Sequence, residues 1–281
     1  AVINIVLDPV FIFLFDMGVA GAAIATVIAQ MSSCAFVLLT LRRKKMKVSL
    51  GLTKPELSTG MRIVKIGFSP FLILATDSII IIALNAVLQH YGGREYGDTL
   101  ITAATIVQSY MLLITSPMLG ITGGSQPLIS YNYGANRPDR IRKTFFWVLA
   151  LCVCFTSVMF LISRFVPQYF VYIFTDNKEY AQLAVWGIRT FTLMIVPLSF
   201  QYVIVDGLTA LGMTKTSLSL SLFRKSMYFG ATCILPLFFT AQSAFYAEPV
   251  ADGVSACVSC IVFSFVYRKY LRGAGRLKDI R

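Results

Sequence analysis

The sequence predicts an all-α protein, a polytopic bundle of transmembrane helices, and three observations carry that reading. Hydrophobic residues make up 57% of the 281 and charged residues only 14%, with a mean hydropathy of +0.73. A soluble domain of this size needs far more polar surface, so the apolar excess must face lipid. Apolar windows recur at the length of a membrane crossing, about 20 residues. Finally, Lys and Arg gather at every second connection between those windows, as the positive-inside rule expects.

The chain opens Ala1-Val-Ile-Asn-Ile-Val-Leu-Asp-Pro, with no initiator Met, charged leader or cleavage site. This is not a signal peptide. Residues 1–15 read as the second half of a membrane helix, and further helices are expected upstream. Seven full windows follow, at 19–41, 66–89, 99–122, 144–166, 181–211, 218–240 and 247–267. Each mixes Leu, Ile, Val, Phe and Ala without strict alternation, which suits helices rather than barrel strands. Pro70, Pro117 and Pro197 fall inside windows and are expected to kink them.

The net charge of +12 is concentrated: of 25 Lys and Arg, eight lie in 42–65, four in 137–143, three in 215–225 and six in 268–281. This places those connections and the C-terminus on the cytoplasmic side, and 90–98, 167–179 and 241–246 outside. Nucleic-acid binding would need one continuous basic soluble face, which this pattern excludes. All six cysteines (Cys34, Cys152, Cys154, Cys233, Cys257 and Cys260) sit in apolar windows. Cys257-x-x-Cys260 has zinc spacing but no second pair, so these read as small apolar residues. His90, the only histidine, reads as a solvated loop residue, and the lack of a nucleophile–base set argues against an enzyme. The segment 126–134 contains no Gly-Lys-Ser/Thr element, so ATP is not implied.

Two hairpins look alike. Leu7-Asp-Pro-Val-Phe-Ile-Phe leads through a short turn into an Ala/Ser/Cys-rich helix ending at Leu41-Arg-Arg-Lys. Leu235-Pro-Leu-Phe-Phe leads into a second such helix ending at Tyr267-Arg-Lys. Both enter and leave on the same sides, the mark of parallel repeats about an axis along the membrane normal, with substrate between the halves.

Three stretches carry a family resemblance. Asn4-Ile-Val-Leu-Asp-Pro-Val-Phe-Ile-Phe, continued by 18–30, resembles the fifth and sixth helices of multidrug and toxic compound extrusion (MATE) transporters. Gly120-Ile-Thr-Gly-Gly-Ser-Gln-Pro-Leu-Ile-Ser-Tyr-Asn-Tyr-Gly-Ala135, followed by Arg140 and Arg142, resembles the motif closing their eighth helix. Pro249-Val-Ala-Asp-Gly resembles the opening of the twelfth. The resemblance implies part of a twelve-helix, two-lobe antiporter, with about seven and a half helices present. Residues 1–41 would be the remainder of the N-terminal lobe, 42–65 a basic cytoplasmic linker, 66–268 the C-terminal six-helix lobe and 269–281 a basic cytoplasmic tail.

A carboxylate at membrane depth is expensive, so it faces a cavity, pairs, or binds a proton or cation. Asn4 and Asp8, four apart, share a helix face, and Pro9 frees a backbone carbonyl nearby. Those oxygens could begin a hard-cation site or the acid could take a proton; equally, Asp-Pro could mark a helix end. The resemblance assigns Asn4, Asp8 and Thr26 to the first-lobe cation or proton site, so a Na⁺ there is the one metal implied. The family's acidic partner on helix one has no counterpart here. Asp77 and Asp206 are second-lobe cation or substrate candidates, Gln108, Asn85 and Tyr110 are cavity candidates, and Asp252 reads as a structural acid near an external helix end. The resemblance implies export of amphipathic or cationic small molecules from a cell (inner) membrane in exchange for H⁺ or Na⁺. No other cofactor is implied, and the partners are substrate and lipid bilayer. A lipid or lipid-linked oligosaccharide flippase is the alternative. Such a cavity should hold Arg and Lys for pyrophosphate, whereas the basic residues here are expected at the cytoplasmic surface.

Overall fold

The computed structural model describes residues 2–42 and 56–268, the side chains of 62, 65–67, 69, 70, 74, 94 and 95 excepted. The expected basic tail, most of the expected linker and the Pro70 side chain lie outside the described residues. Regular structure among the described residues is entirely helical. The chain divides into two compact units, Ala1–Val64 and Lys65–Arg281.

The first unit is built on a broken helix. α1, Val2–Pro9, runs straight into a π-helical turn at Val10–Leu14. Pro9 has no N–H to offer the carbonyl one turn back, so the α-helical ladder cannot continue through it, and the wider turn takes up the mismatch. Asp16 and Gly18, at φ 50° and 52°, then reverse the chain into α2, Gly18–Leu41. α2 lies so close to the turn that a Cβ at Gly21 would sit 2.8 Å from the Phe11 carbonyl oxygen. Gly21 and Ala25 are the buried residues of α2, while Val27, Met31, Phe36 and Leu39 are exposed.

Leu57–Gly134, all but its first eight residues in the second unit, is one helical run broken at Gly93, whose φ of 72° and ψ of −171° suit glycine alone. The pieces are α3 (57–92) and α4 (94–134). There follow α5 (Pro138–Phe165), α6 (Pro167–Val171), α7 (Lys178–Phe191), α8 (Ile195–Ala210), α9 (Thr214–Phe238) and α10 (Ala247–Val266). α7 and α8 make a single crossing, Lys178–Ala210, interrupted by a 3₁₀ turn at Thr192–Met194. Pro197 stands in the first turn of α8 and leaves a carbonyl of that interruption without its helical donor.

The helices are apolar on the outside. On α5 the buried face is Ile141, Phe145, Val148, Cys152, Thr156, Met159 and Ser163, repeating every three or four residues and including three polar or small side chains. The opposite face shows Phe146, Trp147, Leu151, Val158, Leu161 and Phe165. Water would not tolerate that surface, and lipid requires it. Inside, helices meet closely: a Cβ on Gly207 of α8 would come within 2.2 Å of the Phe145 ring. Ser130 of α4 donates to the Ala210 carbonyl oxygen at 2.9 Å, fixing the ends of α4 and α8 together.

Six helices among the described residues have both the length and the hydropathy to cross a membrane. The seventh expected window, 218–240, lies on α9, whose 25 residues reach across a bilayer. Arg224 and Lys225 in its middle hold its hydropathy below that of the six. Both were expected at the cytoplasmic surface, as part of the 215–225 cluster, and that expectation is corrected. They stand ten and eleven residues after Thr214, about 15 Å along the axis at 1.5 Å per residue. Both are buried.

Candidate functional site

The first unit brings together the three residues its sequence singles out. On α1, the Asn4 amide nitrogen donates to Asp8 Oδ1 at 3.1 Å. The same nitrogen reaches Thr26 Oγ1 on α2 at 3.4 Å, and that hydroxyl donates to the Ala22 carbonyl oxygen at 3.0 Å. The Pro9 break places α2 beside α1 and so creates this meeting. Asp8 and Asn4 are half-buried and Thr26 is exposed. No ion pair to Asp8 occurs among the described residues. The cluster is therefore an acid supported by neutral groups, with the carboxylate, the Asn4 carbonyl and the Thr26 hydroxyl as oxygen donors. Such a set can hold a hard monovalent cation, and the acid can hold a proton instead.

The second unit holds a different arrangement. Arg224 Nη1 on α9 donates to Asp252 Oδ1 at 3.0 Å and to Glu248 Oε1 at 3.2 Å, both on α10. Its guanidinium lies 5.9 Å from the centre of the Tyr202 ring. Asp252 is fully buried. Ser255, one turn further along α10, donates to Gln201 Oε1 on α8, which extends the polar set to a third helix. The neighbouring Lys225 forms an ion pair with Asp77 of α3. These groups border a cavity of about 280 Å³ lined by Asp77, Asp206, Arg224, Lys225, Tyr202 and Gln201, among others. Asp206, also on α8, lies near the Thr122 and Gln126 side chains of α4.

The structure thus gathers Asp77 and Asp206 at one cavity. Gln108 and Asn85 are half-buried and do not line it. Tyr110 lies in the core: it is 2% exposed, with its ring 5.0 Å from that of Phe170. Asp252 stands in the second turn of α10, fully buried and paired with Arg224. Sequence reasoning missed Arg224, Lys225 and Glu248 as site residues. The signal was present, because 224 and 225 fall inside the window 218–240, and Glu248 and Asp252 repeat at the four-residue spacing of one helix face.

Ionisable groups buried inside an apolar helical bundle are features that mark substrate and ion pathways in membrane proteins. The chain belongs to the MatE family, whose model matches residues 72–228, more than half of its length. It is 24% identical over 268 residues to the multidrug export protein MepA of Staphylococcus aureus (strain NCTC 8325 / PS 47), a match covering 92% of this chain and 57% of that protein. MepA of Staphylococcus saprophyticus subsp. saprophyticus (strain ATCC 15305 / DSM 20229 / NCIMB 8711 / NCTC 7292 / S-41) is 29% identical over 199 residues, covering 69% of this chain and 41% of that protein.

Among solved structures, the fold matches an outward-facing multidrug resistance MATE family transporter of the MOP superfamily. The TM-score is 0.80 at 22% identity, over 95% of this chain and 61% of the other. It also matches a MOP superfamily transporter from Pyrococcus furiosus Vc1 (DSM3638), for which reversed polarity of the binding pocket suggests a different function. There the TM-score is 0.81 at 24% identity, over 97% and 61%. The chain spans about three fifths of the length of these two structures and of the S. aureus relative.

Proposed function

We propose that the protein acts as a secondary active antiporter, exporting amphipathic small molecules, cationic ones included, in exchange for H⁺ or Na⁺. Membership of the MatE family and the likeness to multidrug export proteins support the transport reading. The single observation that carries the coupling is the Asn4–Asp8–Thr26 cluster, where an acid free of any ion pair among the described residues faces neutral oxygen donors. A carboxylate so placed has only a proton or a cation to neutralise it. On this reading Asp8 exchanges its bound ion as the protein alternates, and no ATP or other cofactor takes part. The protein is multi-pass in the cell membrane, and the placement of the basic residues supports a cytoplasmic C-terminus. Residues 1–41 belong to a first lobe and 66–268 to a second.

The test is efflux of a cationic dye from cells expressing the protein, with the proton and sodium gradients collapsed in turn. Loss of efflux under one collapse names the coupling ion. Efflux indifferent to both overturns the antiport reading.

One observation favours a second reading, that of a lipid or lipid-linked oligosaccharide flippase. Arg224 and Lys225 are buried beside a cavity rather than lying at the surface, which removes the chief argument against a phosphate-bearing substrate. Against it, both cations already have carboxylate partners. Translocation of a fluorescent lipid in reconstituted vesicles separates the two readings.

A further inference from the structure

The two cations of the second unit are held in unequal ways. Arg224 is secured: two carboxylates share its Nη1, the Tyr202 ring flanks it, and its side chain is 9% exposed. Lys225 has one ion-pair partner among the described residues, Asp77. That partner is half open to the cavity, with a side chain 40% exposed against 11% for Lys225. The other carboxylates in ion pairs nearby, Glu248 and Asp252, are engaged with Arg224. Of the ion pairs on this cavity, Asp77–Lys225 is therefore the one a ligand can reach and open.

Opening it has a charge balance. A simple cation that takes Asp77 leaves the buried Lys225 ammonium without its ion-pair partner, and a simple anion that takes Lys225 leaves Asp77 without its own. Leaving one partner of a largely desolvated pair uncompensated is unfavourable. A molecule carrying both charges exchanges one ion pair for two and strands neither group. We infer that Asp77 and Lys225 form a two-charge subsite for zwitterions, with Asp77 taking a cationic nitrogen and Lys225 a carboxylate or phosphate. Ile73, Leu119 and Val205 supply the apolar wall beside it. This rests on the transport reading above and narrows its substrate class from cations to molecules bearing both signs.

The experiment is equilibrium binding by fluorescence anisotropy to the purified chain in detergent. The probes are a xanthylium dye with a free carboxylate, which is a zwitterion, and the methyl ester of the same dye, which is a cation. The expected result is that the acid binds about ten-fold tighter than its ester, the scale of one charge-assisted contact. In Lys225→Met the ratio falls to about one, because the acid loses its partner while the ester gains an unopposed Asp77. The charge-swapped double variant Asp77→Lys with Lys225→Asp retains one charge of each sign at the two positions, and it is expected to restore the preference for the acid. Equal binding of acid and ester to the unaltered chain, or a preference for the acid untouched by Lys225→Met, overturns the subsite and leaves the transport reading standing. Binding of neither dye overturns the subsite, while the efflux assay judges the transport reading separately. Competition with a short-chain phosphatidylethanolamine tells a lipid headgroup from a free zwitterion: displacement assigns the subsite to the headgroup and persistence to free small molecules, and both support a two-charge site.

Discussion

The two units solve the same electrostatic problem in opposite ways. In the first, Asp8 meets neutral hydrogen-bonding groups, the Asn4 amide and the Thr26 hydroxyl, and no charged partner stands beside it among the described residues. In the second, Arg224 and Lys225 supply counter-ions for Glu248, Asp252 and Asp77, so most of the charge is balanced within the chain. A buried acid with an internal counter-ion is a structural element that a ligand must displace. An acid without one is a titratable site that a proton or metal ion can fill. On the proposed reading, coupling belongs to the first kind of site and substrate recognition to the second.

The comparison breaks most visibly at Arg224. Replacing it with Met leaves Glu248 and Asp252 facing one another in a buried space, and the loss should be about 3–5 kcal/mol. Thermal unfolding of the detergent-solubilised protein measures it. Adding Glu248→Gln and Asp252→Asn to Arg224→Met should recover most of the loss, since no charge then remains unpaired; failure to recover would mean the network has a role beyond neutralisation. Asp8→Asn is expected to do the reverse. Its stability should shift by only about 1 kcal/mol, because a neutral hydrogen bond replaces a charge-assisted one, while gradient-driven dye efflux is abolished. Efflux at the unaltered rate in that variant would remove Asp8 from coupling.

Gly207→Leu sharpens the contrast from the packing side. The ring of Phe145 occupies the space of any added Cβ, so overpacking should cost about 1–3 kcal/mol in the second unit with the first-unit site untouched. Smallest is Thr26→Val, which removes one acceptor at 3.4 Å from Asn4 and should cost about 0.5–1.5 kcal/mol or less. Its clearer signature is a weaker response of efflux to the coupling ion.

What could be read from the sequence follows the same division. The Asn4–Asp8 spacing is local, since a four-residue interval on a helix puts two side chains together whatever the rest of the protein does, and Pro9 marks the break that admits Thr26. The helical class followed from composition. The second cluster joins α3, α8, α9 and α10, with bonded partners up to 148 positions apart, and no periodicity encodes which helices pack together. Counting basic residues by nearness to a loop also assigned Arg224 and Lys225 to the surface, because Lys215 stands close by. Tyr110 has a polar tip that made it look like a cavity residue, yet the packing of Phe170 against its ring places it in the core.

The position of Arg224 also bears on how the chain is made. A lone Arg at the centre of a spanning helix opposes insertion by about 2.5–3.5 kcal/mol, and α9 is the least hydrophobic of the long helices here. Its counter-ions, Glu248 and Asp252, are 24 and 28 residues further along and reach the membrane only when α10 is synthesised. α9 is thus expected to wait at the insertion machinery and enter the lipid together with α10 as a neutralised pair. Truncating the chain just before residue 241 should leave α9 outside the bilayer, which a glycosylation-site mapping assay during synthesis would detect. A salt bridge that looks like an element of substrate recognition in the folded protein is then also a requirement of its assembly.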